Sequence, residues 1–386
     1  MLLLGSCLVG SSEAFASNQP LTSEIIARSQ LSAGDLARLS KVLARARRGE
    51  PITLGFIGGS ITAGAFATGA QNAYAGRVAA WWRDRFPRCN LRMINAGVGG
   101  TGSMYGALRA GRDLLSGSPD LVVIEFAVND NWTDGEAFEG LVRQILAQPN
   151  QPAVLLLFMM WEKGGNDQAM QAKVGAHYRL PMVSFRDAIW PEIEAGRLNW
   201  SDYIADKVHP TDAGHAAAAL FVTTMCETAL NAASADRSIT AKLPPPLHSD
   251  RFAHVDWRDA AALDPFENRG WRLDFDEKNI PAWVSGGTQG RIAFEWSGSG
   301  VVVVFAEPPR DLRDIEFRID GASSFQALDV LGQPRRRLFV LSQNLRPGHH
   351  TVELACNSND DPGRRAEQIR VLGIAGIGIN SDLQQL

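Results

Sequence analysis

Between Pro51 and Asn231 the chain alternates short, near-continuous apolar runs with stretches in which apolar residues recur every three or four positions. The runs are ITLGFIG (52–58), LRMINAG (91–97), DLVVIEFAV (120–128), AVLLLFMM (153–160) and PMVSF (181–185). They lack polar alternation, which is the pattern of parallel strands covered on both faces. Between them YAGRVAAWWRDRF and FEGLVRQILAQ have helical spacing, and a last helix is expected from about Thr211 to Ala232. This alternation predicts a doubly wound α/β sheet of about five parallel strands. Ligands of such sheets lie at the carboxyl ends of the strands.

The pattern changes at LPPPLHSD (243–250), a proline-rich break of the type that separates domains. Beyond it RIAFEWSG, SGVVVVFAE, DIEFRIDG, RRRLFVLSQ, HHTVELACN and QIRVLGIAGIGI are short β-rich segments divided by turn residues. They predict a smaller all-β sandwich. The expected division is therefore an α/β domain over 17–243 and a β-sandwich over 244–386. Residues 1–16 read as a signal peptide: Leu2–Val9 is apolar and Ala14-Phe15-Ala16 suits a signal peptidase. That implies export to the periplasm or beyond. Cys7 in Leu-Gly-Ser-Cys offers lipid anchoring as a second reading, disfavoured by the short apolar stretch before it.

Composition narrows the function. In 386 residues, 45% are hydrophobic, and 38 Lys+Arg against 42 Asp+Glu give a net charge of -4. No basic stripe suits nucleic acid, and no apolar run approaches the roughly 18 residues of a membrane span. No HExxH motif is present and the seven histidines are scattered, so neither a metal nor a cofactor is expected. His349-His350 fall in an expected surface turn. Cys89, Cys226 and Cys356 have no metal-like spacing and read as small buried hydrophobes.

Four blocks follow the expected strand ends or precede the last helix: GGSIT (58–62), NAGVGGTGS (95–103), FAVND (126–130) and DKVHPTDAGH (206–215). A parallel sheet brings them to one edge. Together they supply what acyl transfer needs. Ser60 offers a nucleophilic hydroxyl, His209 an imidazole to take and return its proton, and Asp206, three residues earlier, a carboxylate to fix the tautomer. The backbone N–H of Ser60, a glycine N–H from the second block and the Asn129 amide can bind an oxyanion. Each feature has a plainer use as helix cap, turn former or solvated carboxylate; the four together in this order do not. Gly97-x-Gly99-x-x-Gly102 also has the form of a dinucleotide fingerprint, but it follows the second strand and lacks a well-placed acidic partner.

These blocks resemble the SGNH (GDSL-like) hydrolase superfamily over roughly residues 50–232. The resemblance implies a flavodoxin-like sheet, a Ser60–His209–Asp206 triad, and an oxyanion hole of Ser60, Gly100 and Asn129. Two departures stand out: Gly59 replaces the usual aspartate of Gly-Asp-Ser, and Ala127 replaces the glycine of Gly-x-Asn. The GGSIT form and the second β-domain are similar to bacterial carbohydrate O-acetylesterases. That implies an acetylated oligo- or polysaccharide as partner. A broad short-chain or lipase-like carboxylesterase is the alternative enzyme, and a non-catalytic carbohydrate-binding protein the alternative class. Trp132 and Trp161, just past strand ends, are candidate sugar-binding surfaces. Of Trp257, Trp271, Trp283 and Trp296, most are expected to pack in the core or at an interface.

Overall fold

The computed structural model describes residues 21–130, 135–232, 242–277, 279–286, 290–306, 315–323, 328–330, 336–342, 344–356 and 369–378. The leader, Cys7 and Trp132 lie outside these residues. The first sheet contains β1 (Gln30–Ser32), β2 (Ile52–Gly58), β3 (Leu91–Gly97), β4 (Leu121–Glu125), β5 (Ala153–Phe158) and β6 (Met182–Ser184). Its order is β1-β6-β5-β4-β2-β3. The strands from β2 to β6 are parallel, in the flavodoxin-like order, and helices cover both faces. Every residue of β4, β5 and β6 is buried, which accounts for their near-continuous apolar runs. The added edge strand β1 runs antiparallel to β6.

Register decides what the sheet can present. Gly58 at the end of β2 lies level with Gly97 of β3 and with Glu125 of β4. The first three blocks therefore leave the sheet side by side. The last helix, Asp212–Asn231, begins where the Thr211 hydroxyl accepts from the Gly214 N–H at 3.2 Å. It packs on helices Tyr74–Arg85 and Ala37–Arg47, and its start carries the fourth block to the same edge.

The second unit contains β7 (Val255–Asp259), β8 (Glu267–Arg269), β9 (Trp271–Phe275), β10 (Pro281–Ser285), β11 (Arg291–Gly298), β12 (Gly300–Ala306), β13 (Ile315–Ile319), β14 (Ala322–Ser323), β15 (Leu328–Val330), β16 (Arg336–Ser342), β17 (Gly348–Cys356) and β18 (Arg370–Ile377). They form two antiparallel sheets, ordered β15-β16-β12-β18-β10-β9, with β7 on β18, and β14-β13-β17-β11-β8. Val301, Val303 and Phe305 of β12 pack with Phe294, Phe317 and Leu354 of the facing sheet. Val302 and Val304 share a core with Leu141 and Phe252 beside the α/β helices. Thus VVVVF lacks alternation because both of its faces are dry.

The proline-rich stretch is not a free tether. The buried Glu139 carboxylate accepts hydrogen bonds from the backbone N–H groups of Leu247, His248 and Ser249. Phe252 is fully buried against helix Glu136–Leu146. A Cβ on Gly140 would come within 2.2 Å of the Phe252 Cβ, so only glycine permits this approach.

Trp271 and Trp296 are buried, Trp283 packs against the sandwich core, and Trp257 stands edge-on to Tyr105 between the units. All four indoles are thus core or interface groups. His349 and His350 open β17 rather than lie in a turn. His350 stacks on Trp296 and bonds Asp320 through Nδ1 at 2.7 Å, because the cross-strand register places it opposite that indole. Cys226 and Cys356 are buried, and Cys89 is half-buried.

Candidate active site

Ser60 opens the short helix Ser60–Ala63 directly after β2. Two neighbours fix this turn: Val98 N–H donates to the Gly58 carbonyl at 3.0 Å, and the Asn95 amide donates to the Thr62 carbonyl at 2.8 Å. The Ser60 hydroxyl lies 2.8 Å from His209 Nε2, and His209 Nδ1 lies 2.7 Å from Asp206 Oδ2. The other Asp206 oxygen, Oδ1, accepts from the backbone N–H groups of Val208 and His209 at 2.8 and 2.7 Å. Burial works against the Asp206 charge, but these bonds and the imidazole outweigh it and hold its pKa below the ordinary value. An ionised Asp206 keeps the proton on Nδ1 and leaves Nε2 to accept the serine proton.

The loop carrying this pair is braced from both ends. Ala205 N–H donates to the His209 carbonyl at 2.8 Å, and Thr211 N–H to the Tyr203 carbonyl at 3.0 Å. The Trp200 indole donates to the Asp206 carbonyl at 2.9 Å. Sequence reasoning gave Trp200 no role; a lone Trp six residues upstream has no motif to mark it.

Asn129 stands beside Gly59. Its Oδ1 is buried without a hydrogen-bond partner among the described residues and would lie 2.3 Å from a Cβ at position 59. The departure from Gly-Asp-Ser thereby gains a physical reason: the Asn129 amide fills the room a side chain at 59 would need. Gly99 faces Ser60, with its ideal Cβ 3.7 Å from the Ser60 Cβ, and Gly100 has φ 69°, in the left-handed region. Packing explains the other glycines of the formal dinucleotide motif. A Cβ on Gly97 would come within 2.3 Å of Ala63 N, and one on Gly102 within 2.6 Å of Asp130 Oδ1.

Trp161 is half-buried and begins a tight turn in which its backbone N–H donates to the Gly165 carbonyl at 2.9 Å. The next residue, Glu162, donates its N–H to the Lys207 carbonyl at 2.7 Å. Trp161 thus borders the His209 loop, on a turn that bonds that loop directly.

Beneath the serine turn lies a row of acids, of which Glu125 and Asp130 are buried and Asp167 is half-buried. Glu125 accepts from the Thr62 hydroxyl at 3.2 Å, while its Oε1 has no partner among the described residues. Burial, with a smaller contribution from the Asp130 charge, raises its pKa to about 8 despite the Thr62 bond. Asp130 accepts from Ser103 N–H and the Gln171 amide, and burial raises it to about 6. Asp167, which accepts from Asp130 N–H at 3.0 Å, is raised to about 7 by burial and by the Asp130 charge. A raised folded-state pKa means that the folded chain holds a proton the unfolded chain has released. Stability is then full below the unfolded value near 4.5 and is lost as pH rises towards 8. Glu125→Gln is expected to flatten this loss, which amounts to roughly a few kcal/mol at about 1.4 kcal/mol per unit. Urea melts of both proteins at pH 5 and pH 8.5 check it; an equal slope in the variant contradicts it.

A hydroxyl, an imidazole and a carboxylate in series at the carboxyl edge of a doubly wound sheet are the arrangement of an α/β serine hydrolase. Residues 56–217, within the α/β unit, match the model of the GDSL-like lipase/acylhydrolase family. The whole chain is similar to a solved two-domain esterase active on acetylated mannans, with 29% identity and a TM-score of 0.81 over 92% of this chain and 99% of that one. A second structure of such an esterase, co-crystallised with mannopentaose, gives 28% identity and a TM-score of 0.79 over 92% and 98% of the two chains. A search of curated proteins found no match.

Proposed function

We propose that this chain is an exported serine esterase that removes O-acetyl groups from a polysaccharide through an acetyl-enzyme on Ser60. The observation that carries the reading is the unbroken relay from Ser60 Oγ through His209 to Asp206. Ser60 Oγ attacks the acetyl carbonyl carbon as His209 Nε2 takes its proton. The oxyanion so formed takes hydrogen bonds from the Ser60 and Gly100 N–H groups and from the Asn129 amide. Collapse breaks the bond to the sugar oxygen, which receives the proton from His209. Water then repeats the sequence, releasing acetate and restoring Ser60.

The similarity to an esterase active on acetylated mannans, spanning both units, supports a glycan substrate. Acetate release from acetylated mannan and other acetylated polysaccharides is the direct test. A p-nitrophenyl ester series is expected to be best at acetyl and to drop steeply beyond propionyl or butyryl. An extended apolar groove would instead add about 0.8 kcal/mol for each buried CH₂, and activity would climb with chain length. A series peaking at octanoate or longer, with no acetate freed from any glycan, favours the lipase-like alternative.

A further inference from the structure

We propose that Phe66 is the residue that selects the alcohol half of the ester, as an exposed aromatic face for the sugar ring; this rests on the esterase reading above. Phe66 is 58% exposed, yet its ring stacks on His209 with centroids 5.2 Å apart and planes 16° apart. Its φ is 63°, a backbone region that bulky residues seldom enter.

The surroundings force that conformation. Gly64 before it also has positive φ. His215 Nδ1 accepts from Tyr74 N–H, so its proton sits on Nε2 and is donated to the Ala65 carbonyl at 3.0 Å. Beyond Phe66, Asp212 accepts from both the N–H and the hydroxyl of Thr68, at 2.9 and 2.5 Å. Asn72 in turn donates to the Thr68 hydroxyl at 2.8 Å. A loop anchored on both sides holds a large apolar ring in strained backbone and in water. Strain kept in place by its neighbours marks a residue positioned for use.

The position of the ring decides which half of the ester it meets. His209 Nε2 returns a proton to the departing alcohol, so the sugar oxygen must come within hydrogen-bond reach of that atom. A pyranose bonded through that oxygen lies beside the imidazole, within reach of the open face of Phe66. The apolar face of a sugar suits an aromatic plane. Among the described residues, Phe66 is the exposed large hydrophobic that touches the relay.

The test compares Phe66→Gly and Phe66→Trp in the full chain on acetylated manno-oligosaccharide and on ethyl acetate, whose alcohol is too small to cover the ring. Phe66→Gly is expected to raise KM for the oligosaccharide so that its kcat/KM falls about tenfold more than that for ethyl acetate, the scale of one ring contact. Its Tm should hold or rise, because glycine accepts the positive φ. Phe66→Trp should restore the oligosaccharide KM. Equal losses on both esters would overturn the proposal and make the ring a support for the imidazole, and a lowered Tm with both activities lost would make it structural. Wild-type protein that cleaves ethyl acetate but frees nothing from the glycan would sink the glycan reading and this proposal together. Glycan activity left intact by Phe66→Gly would sink this proposal alone.

Discussion

Ser60→Ala and His209→Ala are each expected to remove nearly all turnover of acetyl esters, a loss of roughly 10⁴-fold or more, with the double variant scarcely slower than either single one. Non-additivity follows from the single 2.8 Å bond between the two side chains. A hydroxyl whose proton has no acceptor is as idle as an acceptor with no hydroxyl. Asp206→Asn is expected to lose less, because the substitution leaves the attacking atom in place, but an amide would not hold the Nδ1 proton as the carboxylate does. Steady-state acetate release by the purified variants, with melting curves to show that each is folded, checks the series. Wild-type turnover in folded Ser60→Ala protein would remove Ser60 from the chemistry.

Asn129→Ala is expected to lower kcat by roughly 10²–10³-fold while KM changes little. The amide is neutral, so its N–H contributes most when negative charge builds on the ester oxygen and little when the substrate first binds. Its position is set by contacts that the substitution leaves in place: Asn129 N–H donates to the Phe126 carbonyl at 2.9 Å, and Gly59 leaves the space the amide occupies. A variant altered only in KM would assign Asn129 to ground-state binding instead.

β2, β4, β5 and β6 and the four blocks were legible because both follow from burial, whereas β3, at the sheet edge, is largely half-exposed and departs from the expectation of a strand covered on both faces. A strand dry on both faces has to be written in apolar residues, and a parallel sheet gathers the ends of its strands at one edge. β1 escaped notice because QLS is short and half-exposed, so its pairing with β6 leaves no apolar pattern. In the sandwich, VDWRD and WRLDF mix charges into β7 and β9, which are partly exposed. Phe66 was invisible for a different reason. Nothing in Gly-Ala-Phe-Ala-Thr shows a ring turned back over His209, which lies 143 residues later in the chain and stacks at 5.2 Å. Asp212 and His215 stood inside a block already singled out, yet their work as loop anchors depends on Thr68 and Ala65, partners that only folding brings near.

The bracing of Pro244–Ala253 has a consequence for how such a chain can change over generations. A border between modules is ordinarily a place where genes are cut and rejoined, because each piece keeps its own interior. Here Glu139 of the helical layer caps the chain just past the prolines, Phe252 completes a core begun by Leu141, and Val302 and Val304 close that core from the far side. Recombination at the prolines would hand the recipient a hydrophobic wound on one partner and a stripped sheet on the other. The two halves therefore share one interior, and a side chain added at Gly140 would press first on Phe252, at the join between them.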